Sequence, residues 1–218
     1  MSQNLKVLST EESYTFSRYF ELPFAIEDVL ADLDCTFRRD PLPLPSYGAP
    51  LEGLADLATQ IADGIRYVGL TSEQARREFL IAPIIRTVCR TTQRSVRVEY
   101  PVVVNAWLKG TLDYYFQASP LLVIEAKREN MDNGFTQLAA ELIALDQWAD
   151  SPAPLLYGAV TTGQDWRFGT YHRPSRQVTE DMKLYRVPEE LEILVRILVG
   201  ILTQADTQAD TQADNGGS

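Results

Sequence analysis

The chain has 218 residues, 45% hydrophobic and 23% charged, which suits one domain with a sizeable core or a domain with an extension. Its formal net charge of −10 excludes a strongly basic protein that coats nucleic acid, but not an enzyme that meets nucleic acid through a local patch. Cys35 and Cys89 make neither a CxxC pair nor a zinc pattern and point to a reducing, cytoplasmic setting; the opening MSQNLKVLSTEE lacks the apolar run of a signal peptide, and no stretch of about 18 apolar residues is present to cross a membrane.

In chain order, Ser13 to Phe20 alternates aromatic and polar residues, as in an edge strand or an ordered arm. Ile26, Val29, Leu30 and Leu33 fall at helical spacing. Asp40 to Tyr47 (DPLPLPSY) breaks the pattern with polyproline character, as a linker. Leu54, Leu57, Ile61 and Ile65 resume a helix. Thr71-Ser72-Glu73 opens a longer helix to about Thr91, with an N-cap, an acidic first turn and Pro83 as a kink. Its apolar stripe of Ala75, Ala82, Ile85 and Cys89 also takes in Glu78, an unusual residue for a core face.

Ser95 to Val104 reads as a strand. Lys109 to Asn130 reads as two strands joined by a turn at Ser119-Pro120. Met131 to Gly134 reads as a turn, and Phe135 to Ala149 as an amphipathic helix on the stripe Leu138, Leu142, Leu145 and Ala149. Strands follow over Pro154–Thr161, Asp165–Tyr171 and Val178–Val187, then a helix from Pro188 to about Leu202. The tail repeats TQAD; its period of four suits either a prolonged helix or, as the composition favours, disorder. The order implies an α/β fold, a mixed sheet flanked by helices, divided as an N-terminal extension (1–70) on a core (71–202) with a polar tail (203–218).

The chemistry concentrates in the hairpin. Glu125 and Lys127 share one face of a strand, and folding about Ser119 brings Asp113 opposite Glu125. Burying such charges costs several kcal/mol each unless they are paired or hold a metal. Two carboxylates, with the Ala126 backbone carbonyl between Glu125 and Lys127, offer the oxygen ligands that Mg²⁺ prefers. Lys127 would orient or deprotonate a water, or offset charge in a transition state. His172, the single histidine, sits at the end of a surface strand, and no GxGxxG or Walker motif occurs.

Asp113 followed by Glu125-Ala126-Lys127 on the next strand resembles the PD-(D/E)xK nuclease superfamily over roughly Ser72 to Tyr171, with Thr111-Leu112-Asp113 in place of the nominal Pro-Asp. Glu78 matches the acidic residue often found on that family's first core helix, and Gln137 matches the glutamine that opens the helix after the lysine strand. The resemblance implies a restriction-endonuclease-like core and metal-dependent hydrolysis of a phosphodiester, usually in DNA, with Mg²⁺ or Mn²⁺. Asp113 and Glu125 would ligate the metal, Glu78 would hold a second metal or a bound water, and Gln137 would contact the nucleophile or phosphate. Arg76, Arg77, Lys109, Arg128 and Arg173 are candidates for the nucleic-acid backbone, or else ordinary solvated charge. No separate recognition domain is evident, so a homodimer or a partner subunit is implied for a restriction role. The competing expectation is a catalytically silent module that keeps the fold to bind nucleic acid or a protein.

Overall fold

The computed structural model describes residues 6–118, 122–127 and 129–214, so the expected turn at Ser119-Pro120 and the side chain of Arg128 lie outside the described residues. The runs rich in β-branched and aromatic residues form strands. These are β1 (Thr36–Asp40), β2 (Arg97–Val103), β3 (Lys109–Phe116), β4 (Leu122–Ala126), β5 (Leu155–Thr161), β6 (Asp165–His172) and β7 (Gln177–Arg186). They make one seven-stranded sheet in the order β1-β7-β6-β5-β4-β3-β2. The β1–β7 and β4–β5 pairs are parallel and the other four antiparallel, so the sheet is mixed. The helices are α1 (Phe16–Phe20), α2 (Ile26–Asp32), α3 (Leu54–Tyr67), α4 (Glu73–Arg76), α5 (Ala82–Thr92), α6 (Met131–Trp148) and α7 (Leu191–Asp214). The α/β class with flanking helices is therefore the observed architecture.

One core lies on each side of the sheet. On one side α1, α2 and α6 pack over Val102, Leu112, Val160 and Val178. On the other, α3, α5 and α7 pack over Phe116, Leu122, Ile124 and Phe168. Helix α6 is the crossover between the parallel strands β4 and β5. It is not amphipathic as its apolar stripe suggested: every residue from Gly134 to Leu145 is buried, because α1 and α2 cover the face turned away from the sheet.

Several expectations need correction. Ser13 to Phe20 gives neither a strand nor an arm but α1, which meets β3 through the Thr15–Lys109 bridge and through Phe16 against Gly110. The 1–70 region is more than a covering, since it supplies strand β1 at the sheet edge. Met131 to Gly134 is the first turn of α6 rather than a loop; Asn130, in the left-handed region (φ 60°), caps it by accepting from the Asn133 N–H. The segment after β1 lies on α7: the Arg196 guanidinium donates to the Tyr47 and Ala49 carbonyls (2.8 and 3.0 Å). Helix α7 carries the TQAD period on to Asp214.

The helix expected over 71–91 exists in three parts. Ser72 caps α4 by accepting from the Ala75 N–H (3.1 Å). A π-helical turn, Arg77–Ile81, then runs without a break into α5, where Pro83 follows directly and has no N–H to give the preceding turn. The wider turn shifts every later side chain around the axis, so a stripe counted at ordinary helical spacing fails across it. The buried residues are Leu80, Ile81, Pro83, Ile84, Ile85 and Val88, and Glu78 is exposed.

Candidate active site

Sheet register builds the site. Tyr114 pairs with Ile124, so the next step along the hairpin sets Asp113 across from Glu125, as the sequence suggested. On the other side of β3, Val98 pairs with Tyr114 and Tyr100 with Leu112, which sets Glu99 across from Asp113. Three carboxylates on adjacent strands thus form a row, and two cations interleave with them. Arg77 Nη1 lies 3.4 Å from Asp113 Oδ1, and its Nη2 lies 3.4 Å from Glu99 Oε1. Lys127 Nζ lies 2.6 Å from Glu125 Oε1. The Ala126 N–H donates to Asp113 Oδ2 (2.8 Å), which ties the two strands together at the carboxylates.

Alternation along β4 turns Ile124 and Ala126 to the α7 side and Glu125 to the α6 side. There Gln137 Nε2 donates both to Glu125 Oε1 (2.7 Å) and to Glu141 Oε1 (2.9 Å). Glu125 is 2% exposed and Glu141 fully enclosed. The opposite face of the lysine is covered by α1, where the Phe20 ring centroid lies 4.9 Å from Lys127 Nζ. Asn133 Nδ2 donates to the Phe20 carbonyl (2.8 Å) and fixes that helix against α6.

Burial sets the electrostatics. Desolvation, then the charge of Asp113, pushes Glu125 up to about 7, against the downward pull of Lys127. Desolvation, then the charge of Glu125, pushes Glu141 well above the usual carboxylate range. Burial would lower Lys127, but Glu125, Glu141 and Asp113 outweigh it and hold the ammonium above its ordinary value. Burial thus favours the neutral form of Glu141.

The remaining sequence candidates fare unevenly. Gln137 is in the site, but buried behind Glu125 rather than open to a nucleophile. Glu78 does not join the row: it lines an open depression of about 520 Å³ beside it, with Glu73, Gln74, Arg77, Ala82, Glu99 and Tyr114. Arg77 is turned inward, over the Tyr114 ring and onto Asp113. Arg76 Nη1 donates to the Thr162 carbonyl (3.1 Å), and Lys109 lies at the opposite end of β3 from the hairpin turn. Arg173 is spent on structure, clamping Asp146 and the Ser151 and Ala153 carbonyls. Glu99 and Phe20 escaped the sequence reading, and Glu141 drew no role in it. Glu141 stands one helical turn after Gln137, and that spacing was its one visible signal. Glu99 and Phe20 gave none, because strand register and α1 packing bring them in.

The donor set suits a hard divalent cation. Among the described residues, Glu125 Oε2, Gln137 Oε1 and Glu141 Oε2 are buried oxygens without a hydrogen-bond partner, an arrangement that calls for a proton or a cation. Among the described residues, no three Asp, Glu, His or Cys side chains gather closely enough to enclose an ion. Mg²⁺ fits that limit, since it usually binds through one or two carboxylates and keeps several waters. Asp113, Glu125 and the Ala126 carbonyl would hold it. The chain matches no protein-family model and no curated protein at a significant level.

Proposed function

We propose that the protein hydrolyses phosphodiester bonds in nucleic acid, most simply as a DNA endonuclease using Mg²⁺ or Mn²⁺, on a core of the PD-(D/E)xK type. The observation that carries this reading is the meeting of Asp113, Glu125 and Lys127 at the carboxyl end of β4, with a buried Glu125 oxygen left unpartnered. When bound, the cation supplies Lewis acidity and lowers the pKa of a water. Asp113 is held for ligation by the Ala126 N–H, and Glu125 by Lys127 and Gln137. Lys127 Nζ, 2.6 Å from Glu125 Oε1, would orient the attacking water or offset charge growing on the phosphate. Among the described residues, Arg77, next to Asp113, is the one predicted backbone-binding arginine beside the row, and its guanidinium geometry matches a phosphate. The net charge of −10 favours a partner subunit that adds positive surface for the nucleic acid, and the two free cysteines accord with a cytoplasmic setting.

A second reading, a silent module that binds nucleic acid or a protein, draws on one observation: Asp113 is engaged through both oxygens, by Ala126 and by Arg77. Nicking of supercoiled plasmid and cleavage of single-stranded DNA with Mg²⁺ or Mn²⁺ separate the two. Lys127→Ala should lower the rate at least about 100-fold while the fold persists. Equal behaviour of wild type and variant across metals and substrates would sink the enzyme.

A further inference from the structure

A fully enclosed glutamic acid in the middle of a helix calls for a reason, because leucine or methionine would fill the same volume without the burial cost. Glu141 is such a residue on α6, and among the described residues its one side-chain donor is Gln137 (2.9 Å). We propose that Glu141 is a positioning residue that acts through Gln137 on Glu125; the role in cation binding rests on the nuclease reading above.

An amide side chain has two nearly isosteric ends, and reversing it would aim an oxygen at the carboxylate of Glu125. Glu141 Oε1 accepts from the same nitrogen that donates to Glu125 Oε1, so both Gln137 N–H bonds are committed and only one orientation satisfies them. The consequence falls on Glu125. Its Oε1 takes Gln137 Nε2 at 2.7 Å and Lys127 Nζ at 2.6 Å, which leaves Oε2 as the oxygen with free lone pairs. Glu141 thereby selects which oxygen of Glu125 is presented. Partners of this kind behind a metal ligand are worth roughly 10- to 100-fold in metal affinity.

The test compares Glu141→Leu and Glu141→Gln with the full-length wild type. Three readouts are needed: thermal stability, Mn²⁺ titration, and the NMR exchange rate of the Gln137 carboxamide protons in metal-free protein. Glu141→Leu should stay folded, speed exchange of those protons at least tenfold and weaken Mn²⁺ at least tenfold. Glu141→Gln keeps an acceptor for Gln137, so both quantities should stay within about threefold of wild type. If Glu141→Leu leaves carboxamide exchange or Mn²⁺ affinity unchanged, Glu141 is only core filling and the proposal falls. Should wild type bind no Mn²⁺, the nuclease reading fails by itself, and the carboxamide protons alone then decide whether Glu141 holds Gln137. Should Glu141→Leu unfold, Glu141→Gln decides: wild-type carboxamide exchange supports the brace, and a tenfold rise overturns it.

Discussion

Glu125 is the residue on which folding and function disagree. Its carboxyl is pushed up to about 7 in the folded chain, against an ordinary value of 4.5. A raised acid binds more protons folded than unfolded, so its contribution favours folding below pH about 4.5 and is lost as pH rises through about 7. Glu141, raised in the same direction, adds to the effect. Lys127 works oppositely on Glu125 but does not cancel it, as the net direction shows. In EDTA, melting temperature should therefore fall by several degrees between pH 5 and 8. Millimolar Mg²⁺ or Mn²⁺ should restore it on the alkaline side, because a ligand that binds only the folded chain stabilises it by mass action. Calorimetry across that range checks both; a flat EDTA profile, or a slope that cation leaves unaltered, would contradict the electrostatics of the site. Glu125→Gln, neutral at every pH, should flatten the slope.

At the scale of elements, the site depends on how closely α6 lies on the end of β4. Gly134 makes that approach possible: a Cβ there would sit 2.8 Å from Val160 Cγ1 and 3.1 Å from Lys127 Cγ. Gly134→Ala should cost about 1–3 kcal/mol through overpacking, and should lower nicking at temperatures where the variant is fully folded, because relief comes most easily from the flexible lysine stem. Gly48, with open space around its Cα, is the control, and Gly48→Ala should stay within about 0.5 kcal/mol of wild type. Denaturant midpoints paired with nicking rates test this; a destabilised Gly134→Ala with wild-type activity would show that Lys127 tolerates the shift. The same elements show what could be read from residue order alone. Alternation along β3 and β4 determines which side chains face each other, so Asp113, Glu125 and Lys127 were legible. The π-turn at Arg77–Ile81 was not, since no residue type marks it, and it moved Glu78 off the core face and Arg77 onto Asp113. Glu99 was missed for a related reason: its backbone, at φ 51°, departs from extended geometry inside a strand, and only the pairing of β2 with β3 reveals it.

For the whole molecule, the N-terminal region is where sequence and structure part most widely. Its weak periodicity looked like a covering on a finished core. In the fold it closes the sheet edge with β1, roofs α6 with α1 and α2, and brings Phe20 over Lys127. Such contacts are distant in sequence and carry no local pattern, whereas the central hairpin is local and was visible. The buried outer face of α6 makes the dependence testable. Removing residues 1–33 would expose the surface that Phe16, Tyr19, Val29 and Leu30 now cover, all of them fully buried. At about 25 cal/mol per Å², uncovering four such side chains costs several kcal/mol, a large share of the stability of an ordinary domain. The truncated chain should therefore aggregate, or melt at least about 10 °C below the full chain, as read by size-exclusion chromatography and calorimetry. A monomeric truncation with an unchanged melting temperature would mean that the core is complete without its first helices, and that Phe20 is an accessory to the site rather than part of its wall.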